Sequence, residues 1–80
     1  IVVMTFPENL VGLVIDRFGK EVPVRKDKNG RIRVRTKLTV SHQFFGWLAG
    51  IGKEAKIVSP ESVREEYRNF LEEIIQESLD

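Results

Sequence analysis

The sequence predicts an α+β domain in which one four-stranded antiparallel sheet carries helices on one face. Three observations carry that expectation. β-Branched and aromatic runs alternate with amphipathic segments in the order β-α-β-β-α-β-α. An Asn29-Gly30 dipeptide separates two alternating runs, a pairing suited to a type I′ hairpin because both central residues take positive φ. Residues 31–40, RIRVRTKLTV, are apolar at Ile32, Val34, Leu38 and Val40, with Thr36 between, and basic at Arg31, Arg33, Arg35 and Lys37. A strand with that alternation buries one side and leaves the other strongly positive.

Each element has a local reason. VVMTF (residues 2–6) is β-branched and aromatic, as expected of a central strand. Pro7 is expected at the first helical position, where its missing N–H costs nothing. Leu10, Val11, Val14, Ile15 and Phe18 recur at helical steps, and Gly19 ends that helix. Gly12 costs the helix up to about 1 kcal/mol against Ala, and is expected to permit close approach to the sheet. In the hairpin, Val22 and Val24 should join Ile32, Val34 and Leu38 on the buried face. Pro23 lacks a donor and places its strand at a sheet edge.

Ser41 is expected to cap a second helix, HQFFGWLAGIG, with Phe44, Phe45, Leu48 and Ile51 as its apolar stripe and Gly52 as its stop. AKIVS is a short strand. In SPES, Ser59 is expected at the N-cap, Pro60 at the first helical position and Glu61 beside the positive end of the helix dipole. The last helix carries Val63, Tyr67, Phe70, Leu71, Ile74 and Ile75, and ~18 residues extend about 27 Å.

The first six elements match the ferredoxin-like βαββαβ pattern, two helices over a four-stranded antiparallel sheet. The seventh is an additional C-terminal helix. Its stripe must dock on this domain, on another part of the protein or on another subunit, which makes Tyr67, Phe70, Leu71 and Ile74 candidate interface residues.

Eighty residues, 1–80, make a single domain, and 41% hydrophobic with 31% charged content is that of an ordinary globule. No apolar run approaches the ~20 residues of a membrane span, and no signal peptide is visible. The chain has no cysteine, which excludes disulfides and thiolate metal sites and fits a cytoplasmic location. It opens on Ile1 and enters a strand at once, so a piece of a longer protein is expected. Charge is unevenly placed: residues 1–40 hold nine Lys/Arg and four Asp/Glu, residues 41–80 four and eight. Such asymmetry points to a charged partner, to head-to-tail contact, or to two solvated faces.

Catalytic chemistry is not expected. His42 is the sole histidine, with no cysteine and no acidic neighbour nearer in sequence than Glu54, so neither a metal set nor a nucleophile–base pair forms around it. Glu72, Glu73 and Glu77 share a polar helix side with Glu65 and Glu66 and read as a solvated face. Gly50 and Gly52 lie at a helix end, whereas a phosphate cradle puts glycines before a helix. Acylphosphatases share this architecture but need an arginine in the first loop, which here reads FPEN. No cofactor and no metal are expected.

The positive face is the remaining feature. Arg33, Arg35 and Lys37 should project from the uncovered side of the sheet, with Arg25 beside them on the neighbouring strand. RNA-recognition motifs bind single strands there by stacking bases on aromatics, and this face offers none. Three readings stay open: plain solvation, contact with an acidic protein surface, and salt-sensitive contact with a nucleic acid or another anionic ligand.

The run RVRTKLTVSHQFFGWLAGIGKEAKIVSPESVREEYRNFLEEII resembles the C-terminal extension, or WCX, of bacterial WYL-domain transcriptional regulators. The likeness spans nearly the whole chain and is most telling from Gly52 to Glu61. It implies a cytoplasmic regulator with an N-terminal helix-turn-helix on promoter DNA and a WYL domain that senses an effector, in some members a nucleic acid. The extension would help subunits pair as a homodimer and lean over the effector site. This chain carries neither the DNA-reading helix nor the Trp-Tyr-Leu motif, so no binding residue transfers by motif.

Overall fold

The computed structural model describes residues 1–79; Asp80, the last residue of the expected domain, lies outside the described residues. The elements are β1 (Val2–Pro7), α1 (Val11–Phe18), β2 (Val24–Lys26), β3 (Arg31–Thr36), α2 (His42–Ile51), β4 (Lys56–Ser59) and α3 (Glu61–Leu79). The sheet order is β2-β3-β1-β4 with every neighbouring pair antiparallel. This is the ferredoxin-like arrangement with an added C-terminal helix. β1 is central and β2 is an edge, as VVMTF and Pro23 require.

Period-two alternation sorts the sheet into two faces. Val2, Met4, Phe6, Ile32, Val34 and Ile57 are buried on one side, together with Val14 of α1 and Phe44, Phe45 and Leu48 of α2. Val22, Val24 and Leu38 are half-buried against the same core. Arg33 and Arg35 are exposed on the other side. Trp47 closes the seam between the helices, edge-on to Phe6 (5.9 Å) and Phe18 (5.3 Å), with the Arg17 guanidinium 5.5 Å from its ring.

The β2–β3 turn forms by the expected chemistry and adds a feature that the dipeptide alone does not reveal. Asn29 (φ 61°, ψ 38°) and Gly30 (φ 70°) both take positive φ, and the Arg31 N–H donates to the Lys28 carbonyl. The Asp27 N–H then donates to the Arg31 carbonyl at 2.8 Å. Arg31 thus faces two residues, a bulge at the hairpin mouth. Val24 pairs with Val34 and Arg25 with Arg33. A plain two-residue loop would slip the register by one and turn the valines of β2 outward.

Three local expectations are corrected. Pro7 ends β1, and a 3₁₀ turn over Glu8–Leu10 intervenes before α1. Gly12 is exposed with nothing within 4 Å of where a Cβ would stand, so it serves no close approach. Ser59 stays in β4, opposite Val3, and the Pro60 carbonyl accepts the first bonds of α3, from the Val63 and Arg64 N–H groups. A proline before the helix can do this because the bond uses its carbonyl and not its missing donor. Ser41 caps α2 as expected, its Oγ accepting from Phe44 N at 3.2 Å.

α3 docks on its own domain by its first half. Val63 is buried, and Tyr67 and Phe70 pack on Phe45 with centroids 5.2 and 5.4 Å away. Burial raises the Tyr67 phenol above its ordinary value of 10.0. His42 lies over Phe70 at 5.2 Å. From residue 72 to residue 79 every side chain is exposed.

Gly46 sits inside α2, exposed, with open space where a Cβ would be. Gly46→Ala should therefore raise stability by about 0.5–1 kcal/mol, a rise in melting temperature of roughly 2–8 °C. Gly52→Ala should do the reverse, because Gly52 holds φ 102° at the end of α2. Thermal denaturation followed by circular dichroism checks both.

Candidate functional site

The open face of the sheet is built by register. Arg25 lies opposite Arg33, Arg33 opposite Thr5, and Thr5 opposite Lys56, so one row crosses all four strands. Arg35 pairs with Val3 in the next row. A shallow depression of about 360 Å³ is lined by Val3, Pro23, Arg25, Arg33 and Arg35. Three of the four predicted basic residues therefore converge. Lys37 does not join them: β3 ends at Thr36, and Lys37 lines a separate crevice with Phe18, Val22 and Pro23. Once the strand stops, period-two alternation no longer dictates where a side chain points.

The cations differ in how they are neutralised. Arg31 is tucked across the sheet. Its Nη2 donates to Thr5 Oγ1 (2.9 Å) and to the Glu54 carbonyl (2.6 Å), and its Nη1 lies 3.5 Å from Glu54 Oε2. Thr5 is 7% exposed although it faces the open side, because the arginine covers it. Arg33 Nε donates to Asp27 Oδ2 at 3.2 Å, with Nη2 equally close. Among the described residues, Arg25, Arg35 and Lys56 have no carboxylate within 4 Å.

That arrangement costs something locally. Like charges directly opposite on neighbouring strands repel, and Arg25 faces Arg33. Asp27 offsets part of this. Its Oδ1 accepts from the Lys28 backbone N–H at 2.8 Å, and that bond, with the Arg33 charge, holds its carboxyl below the ordinary value of 3.8. A face that keeps opposed arginines through such a device is suited to an anionic surface or ligand. Phe6, the aromatic of β1, is buried on the helix side, and β3 carries none, so these strands offer the open face no ring for stacking bases.

Of the four candidate interface residues on α3, Tyr67 and Phe70 pack inside the domain, Leu71 is half-buried and Ile74 is 45% exposed. Ile75 (59%) and Leu79 (79%) extend the exposed stripe. Sequence reasoning missed Lys56 as a member of the cationic row and Asp27 as the partner of Arg33. The alternation of Lys56, Ile57 and Val58 was a signal for the first. The second required the bulge.

The family model described as the WCX domain matches residues 2–75. The chain belongs to the WCX domain family. Comparison with curated proteins and with solved structures returned no match. In this WCX domain no group of three or more His, Cys, Asp and Glu converges among the described residues, and no described helix is long and apolar enough to cross a membrane.

The hairpin ion pair sets a pH dependence with a definite sign. The folded-state value of Asp27 is depressed, so its contribution is present above its unfolded value and is lost as pH falls through the folded one, below 3.8. At pH 7 the urea midpoints should rank native above Asp27→Asn, which keeps the bond from Lys28 but not the charge, and Asp27→Asn above Asp27→Ala. Near pH 2 the gap between native protein and Asp27→Asn should close. A gap that persists there would assign the effect to something other than the carboxylate charge.

Proposed function

We propose that this WCX domain is a regulatory and assembly module of a bacterial transcription regulator, and that it performs no catalysis itself. In this reading a WYL domain and a DNA-binding helix-turn-helix lie elsewhere in the same cytoplasmic polypeptide. The module associates with those domains and with a second subunit, and so assists effector sensing. The observation that carries the reading is the pair of uncompensated surfaces on one rigid sheet-and-helix frame. One is the open face, where Arg25 and Arg35 have no carboxylate partner among the described residues, and the other is the exposed end of α3. Family membership supports the regulatory context. No cofactor enters the reading.

Sedimentation velocity tests it on this chain and on the parent protein. Self-association is expected in at least the parent; strict monomers for both would overturn the assembly role.

A second reading is favoured by the depression among Arg25, Arg33 and Arg35. There the face takes an anionic ligand such as a single-stranded nucleic acid, held by phosphate contacts without stacking. Three arginines on three phosphates of a single strand give a slope of about −2 in log affinity against log salt. Fluorescence anisotropy with a short labelled oligonucleotide should show that slope, and Arg33→Glu with Arg35→Glu should abolish binding. Unchanged affinity in the double variant would remove the face from nucleic-acid binding.

A further inference from the structure

Beyond Phe70 and the half-buried Leu71, every described side chain of α3 is exposed. Residues 70–79 contain Glu72, Glu73 and Glu77 and no Lys or Arg. The helical period puts Leu71, Ile74, Ile75 and Leu79 along one side, bordered by Glu72 on one flank and by Glu73 and Glu77 on the other. Ile74, Ile75 and Leu79 are 45, 59 and 79% exposed, which is unusual for aliphatic side chains that recur at helical steps.

The open sheet face has the complementary make-up. Arg25, Arg33 and Arg35 line a depression with Val3 and Pro23, Lys56 stands in the same cross-strand row as Arg25 and Arg33, and Val58 is exposed on β4 beside the register shift where β4 meets β1. One surface is an apolar stripe edged with carboxylates; the other is a set of apolar side chains edged with cations. α3 cannot satisfy its own sheet face. Its first half is held on the helix side by Phe45, and no Pro or Gly interrupts residues 61–79 to let it turn back.

We propose that the free half of α3 docks on the open sheet face of a second copy of this chain. The proposal rests on the assembly reading above and names its surfaces. Each copy carries both halves of the contact, so a two-fold arrangement makes it twice and closes as a dimer, whereas another rotation would continue as a ring or filament. The apolar stripe meets Val3, Pro23 and Val58, while Glu72 and Glu77 approach Arg25, Arg35 and Lys56. Matched potentials of this kind set register and discourage wrong partners.

Charge reversal with mixing tests the contact. Arg25→Glu with Arg35→Glu reverses the face; Glu72→Lys with Glu77→Lys reverses the end of the helix. All four positions are exposed, and far-UV circular dichroism verifies that each variant keeps the fold. In sedimentation velocity at low salt, each variant alone should associate at least about tenfold more weakly than the native chain, and an equimolar mixture should recover association. Recovery follows because the lysine-bearing helix of one chain then meets the glutamate-bearing face of the other. If both variants associate as the native chain does, this docking is wrong and the assembly reading stands on another surface. If the variants dissociate and the mixture does not recover, the pairing of helix with face is wrong. A native chain that is monomeric at every concentration also overturns the docking, and the parent protein's oligomeric state then judges the assembly reading separately. Loss of oligonucleotide binding in the face variant with unaltered self-association would give the face to an anionic ligand instead.

Discussion

The two-against-one pairing at the mouth of the β2–β3 hairpin governs what every side chain on β2 does. Arg31 bonds to Lys28 on one side and Asp27 on the other, and that single extra residue shifts the strand by one position. Val24 then meets Val34 under the helices, and Arg25 meets Arg33 on the open side. A slip of one residue would turn Arg25 toward the apolar side, where Val24 is half-buried, and expose the valine. The hydrophobic demand of the core and the chemistry of Lys28, Asn29 and Gly30 agree on one register. The cationic face is a by-product of that agreement.

From that register follows a division of labour among the arginines. Arg31 and Arg33 sit where carboxylates can reach them, Glu54 from the loop before β4 and Asp27 from the hairpin. Both pairs are on the surface, where such contacts are individually weak. Their effect is positional: Arg31 shields Thr5 at the sheet centre, and Asp27 steadies Arg33 beside Arg25. The remaining charges, Arg25, Arg35 and Lys56, are exposed and have no carboxylate within 4 Å among the described residues, so meeting a partner costs them side-chain freedom.

How much of this was legible in the chain depends on range. VVMTF, the alternation of 31–36, the Ser41 cap and the Gly52 stop are each determined by neighbours within a few residues, and they stand where the pattern put them. Arg25, Arg33 and Arg35 were placed correctly because alternation inside a strand is rigid. Lys37 was not, because nothing in RVRTKLTV says that pairing ends at Thr36. Ser59 looks like an N-cap beside Pro60, yet its backbone is held by β1, fifty-six residues away in sequence at Val3. Lys56 and Asp27 entered the face only through pairings that no local window contains.

α3 is one unbroken rod with two different anchorages. Its first turns are gripped by Phe45 and, through Phe70, lie against His42 at the start of α2. Its last turns stand clear of the body. A force or torque applied at the outer end therefore has a direct route to the aromatic stack over the sheet. Because Phe45 is itself a core residue, a load on the outer turns would be carried into the core and not past it.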